Sequence, residues 1–216
     1  MLRGLLAPDE RARADRFRFE ADAHRLIIGR GVLRLLMGQL LHMLPQRVAF
    51  TYSDSGKPSI VGVHFNVAHS GELILIATHQ YRIGVDVERV DRMIDVAAMG
   101  SACFTARERA MIIANAATQE TIFRLWTRKE AWLKAVGSGL SFPLRHVDVA
   151  DTTAPVIAPD AVIDGAPPSR IVDLPAEPGY VAACAVSGPE ECRTRLWLVE
   201  NTWRPNLPWY NSFDDV

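Results

Sequence analysis

Between Asp9 and Met43 the apolar positions Leu26, Ile27, Leu33, Leu36, Leu40 and Met43 recur at helical spacing, with Pro8 near the start and Pro45 past the end. Gly29, Gly31 and Gly38 interrupt the pattern and predict a break near Gly29–Gly31. From Val48 the period changes to alternation. Val48–Tyr52 and Val63–Val67 read as strands, separated by a SDSGKP turn that carries Lys57. Leu73–Thr78 and Arg82–Val87 read as a hairpin closed by His79, Gln80 and Tyr81. A helical period returns over Thr105–Ala117, where Thr105 and Glu108 fit a capping box. It returns again over Thr121–Val136, stopped by Gly137 and Gly139. His146–Val149, Arg170–Val172, Tyr180–Val186 and Arg195–Val199 alternate like strands. Trp203, Trp209 and Tyr210 carry too much aromatic surface for solvated coil, which predicts a tail packed on the body.

This order, helix then strands and helices then strands, predicts an α+β protein of two halves, residues 1–95 and 96–216, with a ligand cleft between them. The chain has 216 residues and a hydrophobic fraction of 49%, enough to build such a core. Its formal net charge of -1 gives no general attraction to nucleic acid or membrane, so any anion site must be a local basic cluster. Cys103, Cys184 and Cys192 are odd in number and widely spaced, without a C-x-x-C pair. They exclude a disulfide framework or zinc ribbon and point to a reducing, cytoplasmic location. The N-terminal apolar stretch is too short for a signal peptide, and no apolar run approaches a membrane span.

The segment Arg82–Glu88, RIGVDVE, carries the most chemistry. In a strand Val85 and Val87 share one face, and Asp86 and Glu88 share the other. Paired carboxylates repel unless a cation joins them, and hard oxygen ligands suit Mg2+. An isolated D-x-E equally fits a solvated strand face. On the second predicted helix Glu130 and Lys134 lie four apart and share a face, which also describes an ordinary surface ion pair. Trp126 and Leu133 neighbour Glu130 and give it partly apolar surroundings, whereas a carboxylate there needs a metal or reactive hydroxyl. His69 and Ser70, after a strand, could meet a phosphate or simply shape a turn.

Taken together and in order, FNVAHSG, GVDVE and FRLWTRKEAWLKAVGSGL resemble the phosphopantetheinyl transferases of the surfactin-synthetase-activating (Sfp) type. ADAHR at Ala21–Arg25, GKP at Gly56–Pro58 and CFTARE at Cys103–Glu108 extend the resemblance, which runs from about Pro8 to Pro143. It implies a monomer of two pseudo-symmetric α+β halves. It also implies Mg2+-dependent transfer of the 4'-phosphopantetheine arm of coenzyme A to a serine of an apo acyl or peptidyl carrier protein, with release of adenosine 3',5'-bisphosphate. The metal ligands it implies are Asp86, Glu88 and Glu130. Lys134 and His69, with Ser70 beside it, fall on phosphate contacts. Lys57, Arg13 and Arg25 fall on basic residues toward the nucleotide end. Glu130 and Glu108 are candidates to take the proton of the serine, and the capping box explains Glu108 equally well. Relatives of this type usually carry a further strand ahead of the segment matching LLAPDERARADRF, and only six residues precede Ala7. That strand is therefore expected to be absent or to lie upstream of Met1.

A strip of Met111, Ile112 and Arg109 could dock the acidic carrier, or its apolar members could be core. Two rival functions use the same residues. One is a non-catalytic relative that binds coenzyme A or a carrier protein; the other is a metal-dependent phosphodiesterase. Retention of Asp86, Glu88, Glu130 and Lys134 together favours the transferase.

Overall fold

The first helical segment is two helices, and the break falls earlier than the glycines suggest. A computed structural model describes residues 2–53, 56–91, 96–114, 119–137, 142–151, 155–157 and 169–188. In it α1 spans Pro8–Ala14 and α2 spans Glu20–Leu40 without interruption at Gly29 or Gly31. Gly31 instead lets the Leu2 side chain lie against the helix. The break is at residues 15–19, where Phe17 and Phe19 stay exposed and supply no core contact to hold another turn. A buried ion pair joins the two helices: Arg34 Nε donates to Glu10 Oε2 at 2.6 Å, and both side chains are almost wholly covered.

The strands pair differently from the predicted hairpin. β1 (Thr51–Tyr52) pairs with β2 (Pro58–Ser59) around the turn that carries Lys57. β3 (His64–Ser70) pairs antiparallel with β4 (Leu73–His79), closed by Gly71 and Glu72. The next strand, β5 (Arg82–Arg89), does not pair with β4. It runs antiparallel to a late strand, β9 (Tyr180–Ser187), over eight residue pairs, and β9 pairs in turn with β8 (Ser169–Leu174). A division of the chain at residue 95 therefore cuts through this sheet, because β5 is hydrogen-bonded to the later half. The short strands β6 (Val147–Asp148) and β7 (Val156–Ile157) form a separate pair.

Three further α-helices are described: α3 (Val96–Cys103), α4 (Ala106–Ala114) and α5 (Gln119–Val136). Gly137 ends α5, as the sequence predicts. Gly139, Arg195–Val199, Trp203, Trp209 and Tyr210 lie outside the described residues.

Burial follows the alternation of β5 and β9. Ile83, Val85 and Val87 join Ala182, Cys184 and Val186 in a cluster that faces Leu73, Leu75 and Ala77 of the hairpin. The opposite face of β9, Ala183 and Ala185, joins Leu125, Ala131, Trp132 and Ala135 of α5. Helix α2 covers the hairpin through Leu33, Met37, Phe65 and Ile76. Each half thus sets one long helix on antiparallel strands, an α+β arrangement. Trp132 is 1% exposed and stacks edge-on against Phe142 at 5.7 Å, so it belongs to the core. Cys184 is likewise a core residue. No helix among the described residues is long and apolar enough to cross a membrane.

Candidate active site

Gly84 decides where the candidate residues meet. It lies on the face of β5 that carries Asp86, opposite Ala185 of β9, and α5 crosses directly over it. A Cβ at this position would collide with the backbone of Ala131 and Ala135 and come within 2.8 Å of the Lys134 Cβ. The missing side chain, with Ala183 and Ala185 beside it, seats α5 on the sheet. One turn of α5 carries Glu130 and Lys134 to the strand face where Asp86 and Glu88 lie, as the two periods require.

Asp86 is 6% exposed. Its Oδ1 accepts a hydrogen bond from Lys134 Nζ at 2.5 Å. Its Oδ2 is buried without a partner, and so is Glu130 Oε1. Burial pushes the Asp86 carboxyl up to about 6; Lys134 opposes this, and the charges of Glu88 and Glu130 add to it. Burial also raises Glu130, opposed by Lys134 and reinforced by Glu88. The three carboxylates are therefore close enough to repel one another. Among the described residues they do not, as they stand, form a group of three side chains placed to hold a metal ion. The Lys134 ammonium is the cation that balances Asp86. Two buried carboxylate oxygens with no donor, beside a third carboxylate, nevertheless fit a hard divalent ion, which would relieve their desolvation.

Glu88 is held from the hairpin. Ser70 Oγ donates to Glu88 Oε2 at 3.0 Å and accepts the Arg89 amide at 3.1 Å. Ser70 was expected beside a phosphate, and its hydroxyl proton is instead committed to a carboxylate. Asn66 Oδ1 accepts the Val85 amide at 2.9 Å, a second tie between β3 and the open edge of β5. These ties explain why His69 and Ser70 are strand rather than post-strand loop: the strand continues through Ser70 to reach β5. His69 is exposed one residue before Ser70.

Basic residues collect at the C-terminal end of α5. Lys57 Nζ donates to the Lys134 carbonyl at 3.1 Å, and Arg82 Nη1 donates to the Val136 carbonyl at 3.4 Å. Burial, with the charges of Lys134 and Arg82, lowers the pKa of Lys57. Sequence reasoning read Arg82 only as the first residue of a strand; no local pattern marks it. Arg25 is bound to Asp22 on its own helix, and Arg13 is exposed on α1.

Glu108 is fully buried, which corrects its expected part in the chemistry. Its Oε2 accepts the Thr105 amide at 2.8 Å and pairs with Lys129 Nζ at 2.8 Å; its Oε1 accepts the Val149 amide at 2.8 Å. Thr105 Oγ1 accepts the Glu108 amide, so the predicted capping box is present. Lys129 also donates to the carbonyls of Leu144 and Val147. With both oxygens engaged, Glu108 locks α4 to α5 and the strand beyond. The expected docking strip changes too. Ile112 is core, Met111 packs on the core and Arg109 donates to the Phe104 carbonyl. Ile113 is a large apolar residue of α4 that is exposed.

Comparison with known proteins adds independent information. Residues 82–197 match the family model of the 4'-phosphopantetheinyl transferase superfamily, and residues 1–81 match that of the N-terminal part of 4'-phosphopantetheinyl transferase. The two matches meet at the start of β5, where the later sheet begins. The chain is 36% identical over 197 residues to the 4'-phosphopantetheinyl transferase HetI of Nostoc sp., covering 87% of this chain and 81% of that protein. It is 27% identical over 194 residues to the 4'-phosphopantetheinyl transferase Sfp of Bacillus subtilis, covering 86% and 84%. The crystal structure of Thermotoga maritima holo-[acyl-carrier-protein] synthase superposes with a TM-score of 0.35 at 17% identity, over 49% of this chain and 62% of that one, too slight a likeness to bear on the fold.

Proposed function

The chain belongs to the 4'-phosphopantetheinyl transferase family and is a transferase, and from that premise we propose that its donor is coenzyme A and its acceptor a serine hydroxyl of an apo carrier protein. The second product is then adenosine 3',5'-bisphosphate. One observation carries this reading: partnerless buried carboxylate oxygens on Asp86 and Glu130 lie beside cations converging on the last turn of α5. Such a site suits a polyphosphate ester that brings a divalent ion with it.

Asp86, Glu88 and Glu130 would hold Mg2+, with Ser70 orienting Glu88. The ion would neutralise charge on the pyrophosphate as the new phosphodiester forms. Lys134 bridges the acidic and basic parts of the site and offsets charge on the departing bisphosphate. His69 and Lys57, both exposed, contact donor phosphates, and Arg13 and Arg25 serve the nucleotide end. Glu130 Oε1 takes the serine proton as the oxygen attacks. Burial raises the affinity of Glu130 for that proton, as a general base at neutral pH requires. Glu108 has no part in this chemistry, because its oxygens are spent on structure. Both acidic and basic groups come from one chain, which fits a monomer, and the cysteine usage fits the cytoplasm.

Purified protein incubated with coenzyme A, Mg2+ and a panel of apo carrier proteins should add one phosphopantetheine group to a carrier, read by intact-protein mass spectrometry. No mass gain on peptidyl, polyketide or fatty-acid carriers would overturn the reading.

A further inference from the structure

We infer that Arg82 is a phosphate-binding residue of the donor site, acting with Lys57 at the C-terminal end of α5. This rests on coenzyme A being the donor. Two cations from distant parts of the chain, one on the β1–β2 turn and one opening β5, reach carbonyls of the same helical turn. Both side chains are exposed, and among the described residues neither is paired with a carboxylate. Lys134, the third cation of the group, is paired with Asp86 at 2.5 Å. Partial burial first, and then the charges of Lys134 and Arg82, disfavour the protonated form of Lys57, so the cations repel one another as they stand. A phosphate at this end of α5 would remove that repulsion and meet the charged donors of Lys57 and Arg82.

Helix capping alone would also recruit cations to these carbonyls. The Gly137 amide donates to the Leu133 carbonyl at 2.8 Å and closes one of the last four carbonyls of α5, while Lys57 and Arg82 take two of the others. A neutral donor would serve those two carbonyls as well, so capping accounts for the two hydrogen bonds and not for the two charges. The two roles also predict different behaviour. A cap needs a neutral donor as much as a charge, whereas phosphate recognition needs the charge.

The test uses Arg82→Gln, which keeps a donor and loses the charge, and Arg82→Lys, which keeps the charge. Steady-state kinetics with the full chain should show KM for coenzyme A rising roughly tenfold in the Gln variant, with kcat and carrier KM little changed and the Lys variant largely restored. Dephospho-coenzyme A, lacking the 3'-phosphate, identifies the contact. If its KM is the same in wild type and Arg82→Gln, Arg82 holds the 3'-phosphate; if it rises in parallel, Arg82 holds the pyrophosphate. Either result supports the inference. An unchanged KM for coenzyme A, or a fall in melting temperature alone, would overturn it. Should the Gln variant fail to fold, phenylglyoxal labelling of Arg82 in the native chain, read by peptide mass spectrometry, must be suppressed by coenzyme A; undiminished labelling overturns the inference. Wild-type protein that gives no calorimetric signal with coenzyme A would overturn the donor reading itself, and Arg82 with it.

Discussion

Two glutamates on successive helices, Glu108 on α4 and Glu130 on α5, illustrate how burial separates roles at the residue scale. Glu130 keeps one buried oxygen unbonded, while Glu108 has none to spare. Glu130→Gln should therefore leave the melting temperature within a few degrees of wild type and reduce kcat by at least about a hundredfold, the usual worth of a positioned base. Turnover at the wild-type rate would remove Glu130 from the chemistry. Glu108→Gln should do the reverse. It strands the Lys129 ammonium at 0% exposure, and breaking a buried pair costs about 3–5 kcal/mol. Denaturant unfolding should show that loss, while the protein still folded retains near-normal kcat. Asp86, Glu88, Glu130 and Lys134 were legible in the sequence because periods of 2 and 3.6 fix which side chains share a face. Arg82 and the bond of Ser70 to Glu88 were not, since the partners lie 54 and 18 residues away, beyond any local pattern.

At the scale of elements, the sequence marks where strands and helices run more reliably than which of them touch. Alternation over Leu73–His79 and Arg82–Arg89 is real, and both segments are strands. Their adjacency suggests a hairpin, yet β5 finds its ladder on β9, almost a hundred residues later. Complementary faces decide this: Gly84 and Asp86 pair with Ala185 and Ala183, making a shallow surface that a helix can approach. The glycine in GVDVE is thus as much a part of the site as its carboxylates. Gly84→Ala should force α5 away from β5, because the new methyl meets helix backbone rather than a movable side chain. Overpacking of this kind costs about 1–3 kcal/mol or more. The variant should also lose most activity even when folded, since Glu130 and Lys134 move with the helix. An alanine variant with wild-type stability and rate would show that α5 is not seated through this position.

The whole molecule is stabilised against acid by some of its charges and strained at neutral pH by others, and the sign differs between them. Burial would raise Asp173, but the hydrogen bonds and charges of Arg128 and Arg124 outweigh it and hold the carboxyl below its ordinary value. That contribution is present at neutral pH and lost as pH falls. Asp86 works the other way. Its folded pKa of about 6 lies above the ordinary 3.8, so the folded state holds the extra proton between those values. Stability from this group is full below about pH 4, declines as pH rises through 6 and stays low above it, by roughly 3 kcal/mol at most. Glu130 shifts in the same direction and adds to the decline. A divalent ion bound to the charged carboxylates would offset this penalty, and a ligand that binds only the folded state raises its stability. Thermal unfolding with and without Mg2+ should therefore show a larger gain in melting temperature at pH 8 than at pH 5. Asp86→Asn should flatten the decline between pH 4 and 6 and shrink the Mg2+ gain at pH 8. Equal Mg2+ gains at both pH values in wild type, undiminished in Asp86→Asn, would separate the ion from these carboxylates and leave the acidic face of β5 without its proposed role.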